Sequence, residues 1–62
     1  MDKIYGEIIR SKDPTSTSAW YRLYYADPKE SQLSHRFRDQ VDAENAAEDE
    51  AKARGLKIIW RR

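Results

Sequence analysis

The segment Asp39–Gly55, DQVDAENAAEDEAKARG, constrains the fold more than any other part of this chain. At about 100° per residue, Ala43, Ala46, Ala47, Ala51 and Ala53 share one broad side of a helix. Glu44, Asn45, Glu48, Asp49 and Lys52 share the other. The ends are also readable. Asp39 is placed to cap the first turn, with Asp42 three residues on, and Gly55 stands where a helix commonly stops. A helix over about 40–54 is therefore expected. Glu48 with Lys52 and Glu50 with Arg54 are i,i+4 pairs in the favourable order. Glu50 alone falls on the alanine side, with Arg54 as its expected partner. A helix whose buried side is alanine lies close to its neighbour and adds little bulk, so a sheet must supply the large side chains.

The rest of the chain reads as strands. KIYGEIIR, about 3–10, is β-branched and aromatic, and Gly6 inside it marks a bulge or a close approach. SKDPTSTS, 11–18, is a polar loop, expected to be the most mobile segment. AWYRLYYA, about 19–26, is a second strand, and DPKESQ is a turn opened by Asp-Pro. LSHRFR, about 33–38, alternates as a third strand, expected to form a hairpin with the second. LKIIWR, about 56–61, closes the chain. The fold class is α+β. A single domain over 1–62 is expected, with an antiparallel sheet of three to four strands packed on one helix in the order β-β-β-α-β. At 62 residues only about 60% of the unfolded surface is buried on folding, and with no cysteine there is no disulfide framework to assist.

One helix covers one face of a sheet, and this gives the arrangement of aromatics its interest. Four of the seven aromatics lie at Trp20, Tyr21, Tyr24 and Tyr25. Alternation puts Tyr21, Leu23 and Tyr25 on one face of the second strand and Trp20, Arg22 and Tyr24 on the other. In the third strand it puts Leu33, His35 and Phe37 on one face and Ser34, Arg36 and Arg38 on the other. The apolar sets belong beneath the helix with Ile4, Ile8, Ile58 and Trp60. The second face then carries Trp20, Arg22, Tyr24, Arg36 and Arg38, a flat cationic and aromatic surface suited to phosphate contact and stacking. A register slip of one residue in the third strand would move its arginines to the other face.

Net charge is only +1, but the charges are sorted along the chain. Residues 39–50 hold six acids and no base, and residues 51–62 hold five bases and no acid. The pattern complements a helix dipole, and it also gives an acidic surface at Asp42, Glu44, Glu48 and Asp49 that a partner could use. The opening MDKIYGEII lacks the pattern of a signal peptide, and no apolar run approaches a membrane span, so a cytoplasmic location is expected.

The run from Trp20 through the helix, over 20–54, resembles the arm-type DNA-binding domain of tyrosine recombinases and, more distantly, the plant ethylene-response-factor type of domain. The pattern is a Trp opening a strand, a hairpin with a DP turn, a basic strand ending in Phe, an N-cap two residues later and an alanine six residues after the Phe. Here these are Trp20, Asp27-Pro28, Phe37, Asp39 and Ala43. The resemblance implies three antiparallel strands on one helix, with the uncovered face entering the major groove of double-stranded DNA. The family carries Thr at the cap and a more basic hairpin, and it lacks a closing strand like Leu56–Arg61.

Nothing in the chain points to catalysis. There is one histidine, His35, no cysteine, and no Gly-rich phosphate loop, so no catalytic set, metal site or cofactor is expected. The leading expectation is a DNA-binding module using the outer sheet face. The rival is a phage or mobile-element inhibitor of a nucleic-acid-handling protein, of anti-CRISPR or antirestriction type, using that face or the acidic helix. A homodimer stacking sheet on sheet is the third.

Overall fold

The computed structural model describes residues 2–61. Strands β1 (Lys3–Arg10) and β2 (Ala19–Tyr24) are followed by a short 3-10 turn (Pro28–Glu30), helix α1 (Gln40–Ala53) and strand β3 (Lys57–Arg61). The strands form one sheet in the order β2-β1-β3, and α1 packs across one face of it, most closely over β2. This is the two-layer α+β architecture expected.

The pairing is mixed. β1 and β2 are antiparallel, with Tyr5 opposite Tyr24 and Ile9 opposite Trp20. β3 runs parallel to β1, with Ile4 opposite Ile58 and Gly6 opposite Trp60. Direction follows from connectivity. Segment 33–38 carries the chain back along β2, α1 returns it over the sheet, and β3 must then run the way β1 runs.

The segment 33–38 corrects the expected third strand. It lies along the free side of β2 but pairs only at Ala19↔Phe37, through two backbone bonds of 3.1 and 2.9 Å. A regular ladder would next join Tyr21 to His35. Instead the Ser34 N–H donates to the Tyr21 carbonyl at 2.9 Å, and the Ser34 hydroxyl accepts from the Tyr21 N–H at 3.0 Å. Three residues on one side thus span two on the other, an extra residue of the kind that makes a bulge. The expected hairpin of strands two and three is replaced by one between β1 and β2, closed by loop 11–18. That loop is laced by its own side chains. Asp13 accepts from the Thr15 N–H at 2.9 Å and hydroxyl at 2.8 Å, which holds its carboxyl below the usual aspartate value, and the Thr17 hydroxyl donates to the Arg38 carbonyl at 2.8 Å.

The core lies between α1 and the inner sheet face. Ala43, Ala47 and Ala51 are buried, as are Ile4 and Ala19, so the centre of the alanine side packs as expected, while Ala46 is half-buried and Ala53, in the last turn, is exposed. Tyr21 and Phe37 meet at 5.7 Å between ring centroids. Gly6 is the close approach: a β-carbon there would stand 3.0 Å from the Trp60 ring and 3.1 Å from Ile58. The indole therefore crosses the central strand where that strand has no side chain. Tyr25 at 48% exposed, Leu33 at 47% and the exposed His35 are not core residues, in contrast to their expected inner position. Tyr25 lies beyond the end of β2, and the bulge takes Leu33 and His35 off the ladder.

Both ends of α1 are closed. The Asp39 carboxylate accepts from the Asp42 N–H at 2.9 Å. At the other end the Leu56 N–H donates to Ala51 at 2.8 Å and the Gly55 N–H to Lys52 at 2.9 Å, with Gly55 at φ 71°. This is the Schellman arrangement. No helix among the described residues is long and apolar enough to cross a membrane.

Candidate functional site

The uncovered sheet face can be read from the register as rows across three strands. Ile59, Tyr5 and Tyr24 form one row, Arg61, Glu7 and Arg22 the next, and Ile9 with Trp20 a third, while Lys57 and Lys3 pair at the opposite end. The rows arise because one residue of each pair on the inner face, such as Ile4, Ile8 or Ile58, is drawn to the helix, leaving its neighbours outside.

Three of the five expected interface residues, Trp20, Arg22 and Tyr24, lie on this face, but two of them are already engaged. Tyr24 is 8% exposed and stacks on Tyr5 at 5.7 Å with 30° between the rings. Arg22 donates to the Pro28 carbonyl at 3.0 Å, and its Nε is buried without a hydrogen-bond partner among the described residues. The turn that holds Arg22 is itself fixed by Asp27, which accepts from the Lys29 N–H at 2.9 Å. Arg22 thus fastens the turn at Pro28–Glu30 to the sheet, and Tyr24 is held against Tyr5 of the central strand. Trp20 remains half-buried beside Ile9.

The other two, Arg36 and Arg38, lie on the bulged segment at the margin, away from the rows. Arg36 is exposed. Arg38 lies beside the start of α1, 4.0 Å from Asp39 and 3.8 Å from Asp42, with its side chain 84% exposed. At that exposure the pairing adds little stability, yet the two carboxylates offset its positive field.

The sequence reading missed the cations of the opposite edge. Lys3, Lys57 and Arg61 are exposed, and the Arg61 guanidinium lies 5.2 Å from the centre of the Tyr5 ring. The signal was present in KIIWR, but its side could be assigned only once β3 was known to pair with β1 rather than with the third expected strand. With Arg22 these make four cations on the face against one carboxylate, Glu7, among the described residues.

The acidic surface lies in the other layer. Glu48 and Asp49 are exposed on α1. Glu44 accepts from the Gln40 side chain at 2.8 Å, Gln40 in turn accepts from Arg10, and Asp42 faces Arg38. Glu50 turns inward, with the Tyr21 hydroxyl at 3.1 Å and Arg54 at 3.2 Å. The outer sheet face is thus net positive and the exposed side of α1 at Glu48 and Asp49 is acidic, a local imbalance that a net charge of +1 conceals. Comparison with protein-family models, with curated proteins and with solved structures gives no match.

Proposed function

We propose that this is a non-enzymatic DNA-binding module that lays its uncovered sheet face against double-stranded DNA. One observation carries the reading: on the face no helix covers, Lys3, Lys57, Arg61 and Arg22 stand against the single carboxylate Glu7 among the described residues, while Asp42, Glu44, Glu48 and Asp49 lie on α1 in the other layer. Such a separation orients the molecule in the field of a polyanion, positive face first. Lys3, Lys57 and Arg61 serve phosphates along one side and Arg36 along the other. Trp20 and Tyr5 supply apolar surface between them. Arg22 and Tyr24 act by keeping the face flat.

The test is an amide-shift titration of labelled protein with a short mixed-sequence duplex, at low and then moderate salt. Shifts in β1, Trp20–Arg22 and β3 that fade with salt are expected. Saturating duplex that leaves β3 unmoved removes the proposal.

A second reading has its own observation. Glu48 and Asp49 stand exposed on α1 with Asn45 beside them, a surface able to cover the basic groove of a nucleic-acid-handling protein. In that case the duplex gives no shifts, and charge reversal at Glu48 and Asp49 abolishes capture of the partner. Sheet-on-sheet homodimerisation through the outer face would instead appear as a mass that rises with concentration.

A further inference from the structure

The two edges of the sheet differ. The free side of β2 is occupied by residues 34–37: Phe37 exchanges two backbone bonds with Ala19, and the Ser34 N–H donates to the Tyr21 carbonyl. β3 is the other edge, and among the described residues no segment lies along it. The Lys57 N–H donates to the Asp2 carbonyl at 2.8 Å, toward β1. In a parallel ladder, bonding direction alternates with each residue. Lys57, Ile59 and Arg61 therefore spend their backbone groups on β1, while those of Ile58 and Trp60 point outward.

The side chains around those outward groups are selective. Lys57 and Arg61 bracket Ile59, which is 37% exposed, on the outer face. A second copy of β3 pairing antiparallel about Ile59 would set Lys57 against Arg61 twice, and like charges directly opposed are destabilising. A strand with carboxylates four residues apart and an apolar residue between them would meet opposite charges at both positions. We infer that the β3 edge is a docking site for an extended acidic segment of another protein, which adds to the sheet through the backbone of Ile58 and Trp60 and is selected by Lys57 and Arg61. The inference stands apart from the DNA reading, since it concerns backbone groups at an edge rather than the face. Such a strand would also neutralise two of the face's cations, so it would oppose DNA binding.

The probe is the peptide Glu-Thr-Val-Thr-Glu, blocked at both ends, whose symmetry makes strand direction immaterial. The control is Lys-Thr-Val-Thr-Lys. Each is titrated into labelled protein without DNA. Amide shifts centred on Ile58 and Trp60 are expected, with the acidic peptide binding at least about tenfold more tightly, as opposite against like charges at two cross-strand positions require. The double variant Lys57→Glu, Arg61→Glu should reverse that preference. Ile58→Pro removes the outward N–H together with an inner-face side chain, so it is read against Ile58→Ala, which keeps the N–H: binding should be lost in the proline variant and kept in the alanine variant. The inference fails if neither peptide moves those amides at millimolar concentration, or if both move them equally. It fails also if the protein alone protects Ile58 and Trp60 as concentration rises, which would make the occupant a second copy.

Discussion

The Tyr21 hydroxyl donates to Glu50 at 3.1 Å, and the other oxygen of Glu50 holds Arg54 at 3.2 Å. A strand is thereby joined to the last turns of α1 through the one acid that breaks the alanine side. Partial burial, then the nearby Glu50 charge and its hydrogen bond, hold the Tyr21 phenol above the ordinary tyrosine value. Its folded-state pKa is raised, so the stability from this bond is present below the unfolded tyrosine pKa and is lost as pH rises through the folded value. Tyr21→Phe should cost about 1 kcal/mol at neutral pH and flatten the alkaline fall. Urea unfolding of both proteins between neutral pH and the phenol range checks this. Equal alkaline slopes would refute it.

Gly6 predicts a steric effect. Gly6→Val should destabilise by about 1–3 kcal/mol, because the Trp60 ring must leave the surface of β1. Near-ultraviolet circular dichroism of Trp60 should change together with the unfolding midpoint. Gly6→Ala should do less, since a shift of a few tenths of an ångström in an edge indole accommodates one methyl.

The caps predict effects at the helix ends. Asp39→Ala should cost about 1 kcal/mol, since it removes the acceptor for the Asp42 N–H. Gly55→Ala should cost about 1–2 kcal/mol, because it forces a β-carbon into the left-handed region at φ 71°. Amide exchange should quicken in the first turn for the former and around Lys52–Leu56 for the latter.

Under the DNA reading, Lys57→Ala and Arg61→Ala should each reduce the slope of log K against log salt by about 1. Arg38→Ala, whose charge is already offset by Asp39 and Asp42, should leave it nearly unchanged. Binding isotherms on one duplex at several salt concentrations decide between these outcomes. A larger loss at Arg38 than at Arg61 would relocate the interface to the margin of the sheet.

These expectations show how far the sequence could be read. The helix, both caps, the inward Glu50 and the alternation of β2 were legible, because each depends on residues within one or two turns or on a strict period of two. Pairing was not. LSHRFR alternates as well as any strand, but its register against β2 depends on the Ser34 hydroxyl standing in for a backbone acceptor, and no period shows that. The exposure of Lys57 and Arg61 beside Tyr5 depends on which strand β3 chooses and in which direction. For the same reason Arg22 looked free: nothing local shows that its guanidinium lies under Pro28.

The parallel pairing of β1 with β3 also has a consequence for how the protein is made. The central strand at Lys3–Arg10 is synthesised well before its partner at Lys57–Arg61. Until that partner emerges, Ile4 and Gly6 have one neighbouring strand and the alanine helix has half its sheet. Completion of the sheet then waits for Lys57–Arg61 and is slowed by closure of the long loop between β1 and β3. A stalled product ending near Gly55 would hold a hairpin and a loose helix, with its middle strand open to any passing chain.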